Sequence, residues 1–207
     1  MTASLTAEEV VRARRLLMRR DPVLAAIIKR HGECGLRTAR GSDIFNGLIQ
    51  SIISQQLSTK AARTIYLRLL ALFDGVPTPA AVVRATDAEL RAVGLSGQKL
   101  RYMRDLGAKV QDGSLPLPAL DAMTDDEVIA ALTQVKGIGR WTAEMFLMFR
   151  LHRPDVLPVD DLGIVKAVQK AYKLRKTPSA DRLHKIGDAW RPYRSVACWY
   201  LWRSLNA

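Results

Sequence analysis

Apolar residues recur along this chain at spacings of three and four, the period of an α-helix packed on one face. The pattern is widest over residues 43–54, where Ile44, Phe45, Leu48, Ile49, Ile52 and Ile53 make a broad apolar stripe. The same period predicts helices over 7–19, 22–31, 58–73, 78–84, 87–93, 97–111, 125–135, 140–150, 161–172, 179–188 and 192–205. Thr6–Glu9, Thr86–Glu89 and Thr124–Glu127 each match a capping box, in which threonine and glutamate satisfy free N–H groups at a helix start. Asp21-Pro22 separates the first two helices. Further breaks fall at Gly32–Ser42, Gly75–Thr78, Gly113–Pro118 and Leu151–Pro158, none long enough for a flexible linker. No segment alternates as a half-buried strand does, and no hairpin turn is flanked by β-branched residues. The pattern predicts an all-α chain.

Composition adds a partner class. The 207 residues are 48% hydrophobic, enough for a sizeable core in one large domain or two small lobes. Lysine and arginine number 32 against 20 acids, a formal charge of +12 that favours a polyanion as partner. No apolar run approaches the roughly 20 residues that span a bilayer. Residues 1–20 hold no signal-peptide core, since Leu16-Leu17-Met18 is flanked by arginines, so a cytoplasmic protein with no membrane partner is expected. Cys34 and Cys198 are the only cysteines, which excludes a disulfide scaffold and a four-cysteine metal site. His31, His152 and His184 lack ligand spacing.

Candidate chemistry concentrates in one stretch. Val135-Lys-Gly-Ile-Gly-Arg-Trp141 joins two predicted helices by a short turn with two glycines. Glycine permits φ > 0 and close backbone approach, and a helix start presents N–H groups to a phosphate. The flanking Lys136 and Arg140 favour that use over a plain αα-turn, with Ile138 as a buried plug. Asp160 and Asp161 follow as a bare acidic pair in a basic chain. By itself Pro158-Val-Asp-Asp161 is better read as a helix start, its acids capping free amides. A second glycine turn, Gly94-Leu-Ser-Gly97, precedes Lys99 and Arg101; most such turns are helix caps.

LTQVKGIGRWTAEMFLMFR followed by VLPVDDLGIVKAV resembles the helix-hairpin-helix DNA glycosylases, and within them the 3-methyladenine DNA glycosylase II, alkylation-repair branch. Ile52-Ile-Ser-Gln-Gln-Leu-Ser58 is similar to the family's DNA-probing segment. Leu95-Ser96 with Lys99 and Tyr102 matches the helix–turn that follows, and Trp190-Arg-Pro-Tyr-Arg-Ser195 with Trp199-Tyr-Leu-Trp202 matches the closing helix. The resemblance covers roughly residues 40–205.

The resemblance implies a two-lobed helix-hairpin-helix DNA glycosylase fold with a cleft between the lobes: residues 1–42 and 113–207 in one lobe, 43–112 in the other. It implies a monomer acting on damaged double-stranded DNA, nucleoid-associated if the source is bacterial. Asp161 falls on the family's catalytic aspartate, where an ionised carboxylate stabilises an oxocarbenium-like sugar. Asp160 is expected to cap the helix beside it. Trp141 occupies the position where lyase members carry a Schiff-base lysine, which implies a monofunctional enzyme. Trp141, Trp202 and Met145 are expected at the base pocket, where electron-rich rings attract a cationic alkylated purine. Gly137, Ile138, Gly139, Arg140 and Lys136 are the expected phosphate grip. Gln56 or Leu57, with Ser58 beside it, is the expected wedge for the gap left by a flipped base. The carbonyls of Thr133, Val135 and Ile138 match positions that hold Na+ or K+ in relatives; no other cofactor is implied. Residues 1–40 read as helices where larger members carry a β-rich domain, and iron–sulfur relatives fit poorly. The competing readings are a non-catalytic DNA-binding module and a glycosylase for other damaged bases.

Overall fold

The computed structural model describes residues 5–36 and 43–205; residues 37–42 of the expected Gly32–Ser42 break lie outside them. Every regular element among the described residues is helical. In order they are α1 (Ala7–Arg20), α2 (Pro22–His31), α3 (Ile44–Ser54), α4 (Thr59–Leu72), α5 (Pro79–Arg84), α6 (Asp87–Ala92), α7 (Gly97–Gln111), α8 (Asp125–Thr133), α9 (Arg140–Phe149), α10 (Leu162–Ala171), α11 (Ala180–Gly187) and α12 (Arg194–Leu205). Short 3₁₀ turns at Leu117–Ala119 and Asp188–Trp190 were not legible in the pattern, because three residues carry no period. All three capping boxes form; in the first, Thr6 N–H donates to Glu9 (2.9 Å) and Glu9 N–H to Thr6 Oγ1 (3.2 Å). Hydrogen bonds from Thr86 and Thr124 hold the carboxyls of Glu89 and Glu127 below the usual range. No helix of the described residues is long and apolar enough to cross a membrane.

Two compact units form: Met1–Arg40 with Glu144–Ala207, and Gly41–Ala143. The expected second boundary, at 112/113, thus differs from the observed 143/144, and the hairpin belongs with the middle helices. One tie is Asp105 of α7, which accepts the backbone N–H of Lys136 (2.8 Å) and binds the turn after α8 to the middle helices.

In the first unit α12 is the central helix. Val196, Ala197, Cys198, Tyr200 and Leu201 are buried, and α12 packs against α1, α2 and α10. Burial pushes the Cys198 thiol up, as it pushes Cys34 up to about 11. Asp21 closes this unit. Its carboxylate caps α2 by accepting from Val23 (2.9 Å) and Leu24 (3.0 Å), and it also accepts the Trp190 indole N–H (2.9 Å) and the Tyr172 hydroxyl. Four donors offset the desolvation of a buried carboxylate. Burial and this carboxylate together push the Tyr172 hydroxyl up.

In the second unit α3 packs on α4 and α7 and buries the predicted stripe except for Ile44, which is half-buried at the helix start. Asn46 is the polar member of that buried face, and its side chain exchanges hydrogen bonds with the Tyr66 hydroxyl at 2.7 and 2.9 Å. α5 packs across α7, where Gly107 approaches the Pro79 carbonyl so closely that a Cβ would lie 3.1 Å from it.

Candidate functional site

The hairpin is built in the second unit. After α8 the turn is closed by Ile138 N–H donating to the Val135 carbonyl (3.0 Å). Val135 and Ile138 are buried, so Ile138 is the plug expected of it. Lys136, Gly137, Gly139 and Arg140 stay exposed around that plug. Gly137 has φ +81°, and a Cβ there would lie 2.1 Å from Cδ2 of Tyr102. Both conformation and space therefore demand glycine. Around Gly139 the Cβ position is open, so a ligand backbone can come close.

Three anchors hold the turn. Tyr102 packs into the hollow at Gly137. Asp105 accepts the Lys136 N–H (2.8 Å) and lies 3.8 Å from the Lys136 ammonium. Gln55 donates its side-chain amide to the Gly137 carbonyl (2.8 Å). The result is a rigid, exposed, glycine-bearing turn at the start of α9 with two basic side chains on its rim, an arrangement that suits a phosphate diester. The carbonyls of Thr133, Val135 and Ile138 lie at the end of α8 and in the turn; that of Val135 already accepts one hydrogen bond.

The probing segment is also built, in the same unit. α3 ends at Ser54, Gln55 leaves the helix at the first position of a turn (φ −53°, ψ 127°), and Gln56 adopts φ +57°. Leu57 follows with its apolar side chain 39% exposed, and Ser58 caps α4 by accepting from Ala61 (3.3 Å). Ser58 thus has a structural task of its own. Lys99 reaches back from α7 to the carbonyls of Ile53 and Gln55 (2.7 Å to the latter).

Asp161 lies in the first unit. The segment before it is clamped by the start of α12. Ser195 Oγ accepts from Val156 (3.0 Å) and donates to the Arg153 carbonyl (2.6 Å). Arg194 and Arg191 each reach the Asp155 carboxylate at 2.7 Å. The chain then delivers Asp161, buried, as the N-cap of α10. Its Oδ1 accepts both the Ile164 N–H (2.7 Å) and the Trp202 indole N–H (2.8 Å). This corrects the expectation for Asp160, which is exposed while Asp161 takes the cap. The reason is register: the helix starts at Leu162, and the capping residue is the one immediately before it.

Trp202 and Asp161 are therefore brought together, but edge to carboxylate. The Trp202 ring also stacks on Phe149 (5.9 Å between centroids, 30° between planes). Gly163 makes room, since a Cβ there would lie 2.9 Å from both Asp161 Oδ1 and Trp202 Cδ1. Trp141 stands on the first turn of α9, 46% exposed, and Met145, half-buried, follows one turn later. Trp190 is buried, whereas Trp199 is half-buried against Tyr200 and Arg203. Phe149 and Leu162, the latter 72% exposed beside Asp161, were not singled out from sequence. The available signal was helical spacing: Phe149 is four residues past Met145 on α9.

The model of the HhH-GPD superfamily, base excision DNA repair proteins, matches residues 49–192. The chain belongs to this superfamily. The match runs from within α3 through the hairpin and Asp161 to Pro192, just before α12. Among curated relatives, DNA-3-methyladenine glycosylase 1 of Schizosaccharomyces pombe is 36% identical over 172 residues, 81% of this chain and 75% of the relative. A putative DNA-3-methyladenine glycosylase of Bacillus subtilis is 32% identical, covering 88% of this chain and 66% of the relative. Among solved structures, a DNA-3-methyladenine glycosidase of Bacillus halodurans superposes with TM-score 0.84 at 37% identity, covering 99% of this chain and 92% of that one. The 3-methyladenine DNA glycosylase of S. pombe in complex with abasic DNA superposes with TM-score 0.81 at 32% identity, covering 95% and 97%. The all-helical architecture is that of helix-hairpin-helix glycosylases, as the resemblance implied.

Proposed function

We propose that this protein is a monofunctional DNA glycosylase that releases alkylated purines of the 3-methyladenine and 7-methylguanine type from damaged duplex DNA, acting as a monomer. The observation that carries this reading is the Asp161 carboxylate, buried at the amino end of α10 and oriented through Oδ1 by a backbone amide and the Trp202 indole. A carboxylate so fixed has its geometry set before substrate arrives. The names of the relatives support the alkylpurine class.

The chemistry needs little more. A purine alkylated at N3 or N7 carries positive charge. Breaking its C1′–N bond sends the bonding electrons to the base, which leaves neutral and needs no general acid. Positive charge then develops on the sugar, where Asp161 stabilises it. Water adds at C1′ and gives up a proton, leaving an abasic site. Trp141 at the hairpin offers no amine for a Schiff base, so the strand stays intact. Phosphates are held by Lys136, Arg140 and the exposed glycine backbone, and binding weakens as salt rises. Na+ or K+ held by the carbonyls of Thr133, Val135 and Ile138 would add charge there, since carbonyl oxygens suit a hard cation. Leu57 is the better wedge, because an exposed apolar side chain replaces lost stacking more effectively than an amide.

Two experiments test this reading. With a duplex carrying one methylated purine, the product strand is expected to break only after alkali, and borohydride to trap no covalent adduct. Breaks before alkali, or a trapped adduct, would show a lyase. For the pocket, Trp202→Phe keeps a ring and removes the indole N–H. A charged hydrogen bond of roughly 1.5–3 kcal/mol sets the scale, so single-turnover base release is expected to fall about tenfold or more with KM little changed. A raised KM at unchanged rate would mean that Trp202 serves only to stack the base.

A further inference from the structure

In a DNA-binding protein a lysine beside a glycine turn is ordinarily assigned to phosphate. Lys99, two residues past Gly97, is instead turned inward: its ammonium donates to the carbonyls of Ile53 and Gln55. These belong to the carboxyl end of α3, where helix carbonyls lack intrahelical donors and the dipole is negative. α3 has no basic residue in its own last turn. A cation from α7, more than forty positions along the chain, takes that place.

The same segment is tied twice more within its unit. Gln55 bonds the Gly137 carbonyl (2.8 Å), and Ser58 caps α4. One turn along α7 from Lys99, Tyr102 fills the hollow at Gly137, and one turn further Asp105 holds the Lys136 amide. One stripe of α7 thus grips both the start of the probing segment and the hairpin. Between Lys99 at one end and Ser58 at the other, only Gln56 and Leu57 are left to project, with Gln56 in a left-handed conformation.

We propose that Lys99 is a positioning residue for the wedge: it fixes the carboxyl end of α3, and with it residues 55–58, in the register from which Leu57 enters the duplex. It does not contact phosphate. The proposal rests on the glycosylase reading for its purpose and on the bonds of Lys99 alone for its geometry.

The test compares wild type, Lys99→Met and Lys99→Arg. Lys99→Met keeps the apolar stem and loses the charge. Amide exchange over residues 54–58 is expected to speed up about tenfold or more, because the segment loses its tether. Single-turnover base release is expected to slow by about 10–100-fold, the scale of an ångström-sized misplacement. The slope of log Kd against log salt for undamaged duplex is expected to stay unchanged. Lys99→Arg, which keeps charge and donors, is expected to recover most of the rate, a rescue that general loss of stability would not produce. A slope reduced by about one with exchange unchanged would make Lys99 a phosphate contact and overturn the proposal. Unchanged exchange with unchanged rate would also overturn it. If wild type releases no base, the glycosylase reading falls, while exchange and salt slope still decide what Lys99 does. Should Lys99→Met fail to fold, the same measurements on Lys99→Gln decide between the two roles.

Discussion

Asp161→Asn is expected to slow base release by about a thousandfold and to leave the fold intact. Two unit charges about 4 Å apart at an effective dielectric constant near 20 interact by roughly 4 kcal/mol. Losing that stabilisation of the developing sugar cation corresponds to about 10³ in rate. The fold survives because asparagine keeps what the cap requires. Its side-chain oxygen still accepts from Ile164 N–H and from the Trp202 indole, and asparagine is as good a helix cap as aspartate. A single-turnover rate beside a thermal melt separates the two effects. A comparable fall in melting temperature would assign Asp161 to structure. An unchanged rate would remove it from the chemistry.

Gly137→Ala is expected to damage the hairpin itself. The left-handed conformation at φ +81° costs a non-glycine residue about 1–2 kcal/mol. A Cβ placed 2.1 Å from the Tyr102 ring adds an overpacking cost of about 1–3 kcal/mol as the ring or the turn moves away. At roughly 2–4 °C per kcal/mol for a chain of this size, the expected loss is about 4–20 °C in melting temperature. Duplex affinity should fall with it, since Gln55 and Asp105 bind the same turn and would be pulled out of register. The double change Gly137→Ala with Tyr102→Ala is expected to be less than additive, because removing the ring removes the clash and leaves only the backbone cost. Full additivity would show that the ring is not what the glycine accommodates.

These two positions differ in how far they could be read in advance. The hairpin glycines stand out in sequence because two glycines one residue apart, set between apolar helical runs, mark a tight turn. The helices themselves were legible for the same local reason, and the capping boxes need residues only three apart. Asp161 was legible mainly through the resemblance. Residue type alone could not say which of two adjacent acids caps α10, since that turns on the helix start to a single residue.

What stayed hidden is what the chain brings together from afar. Gln55 meets Gly137 across 82 positions, Asp105 meets Lys136 across 31, and Trp202 meets Asp161 across 41. No periodicity encodes such pairs. For that reason nothing beside Lys99 in the sequence shows that it leaves its own glycine turn to grip a distant helix end. Trp202 likewise reads as a flat surface for a base, whereas in the structure it holds a carboxylate by its edge.

The most direct test of the whole account is free-base release from methylated duplex DNA, wild type beside Asp161→Asn, with strand breaks scored before and after alkali. Wild type is expected to liberate 3-methyladenine and 7-methylguanine with breaks only after alkali, and the variant to bind the same duplex but release almost nothing. Equal binding by both proteins with no base released by either would contradict this and make the chain a DNA-binding module.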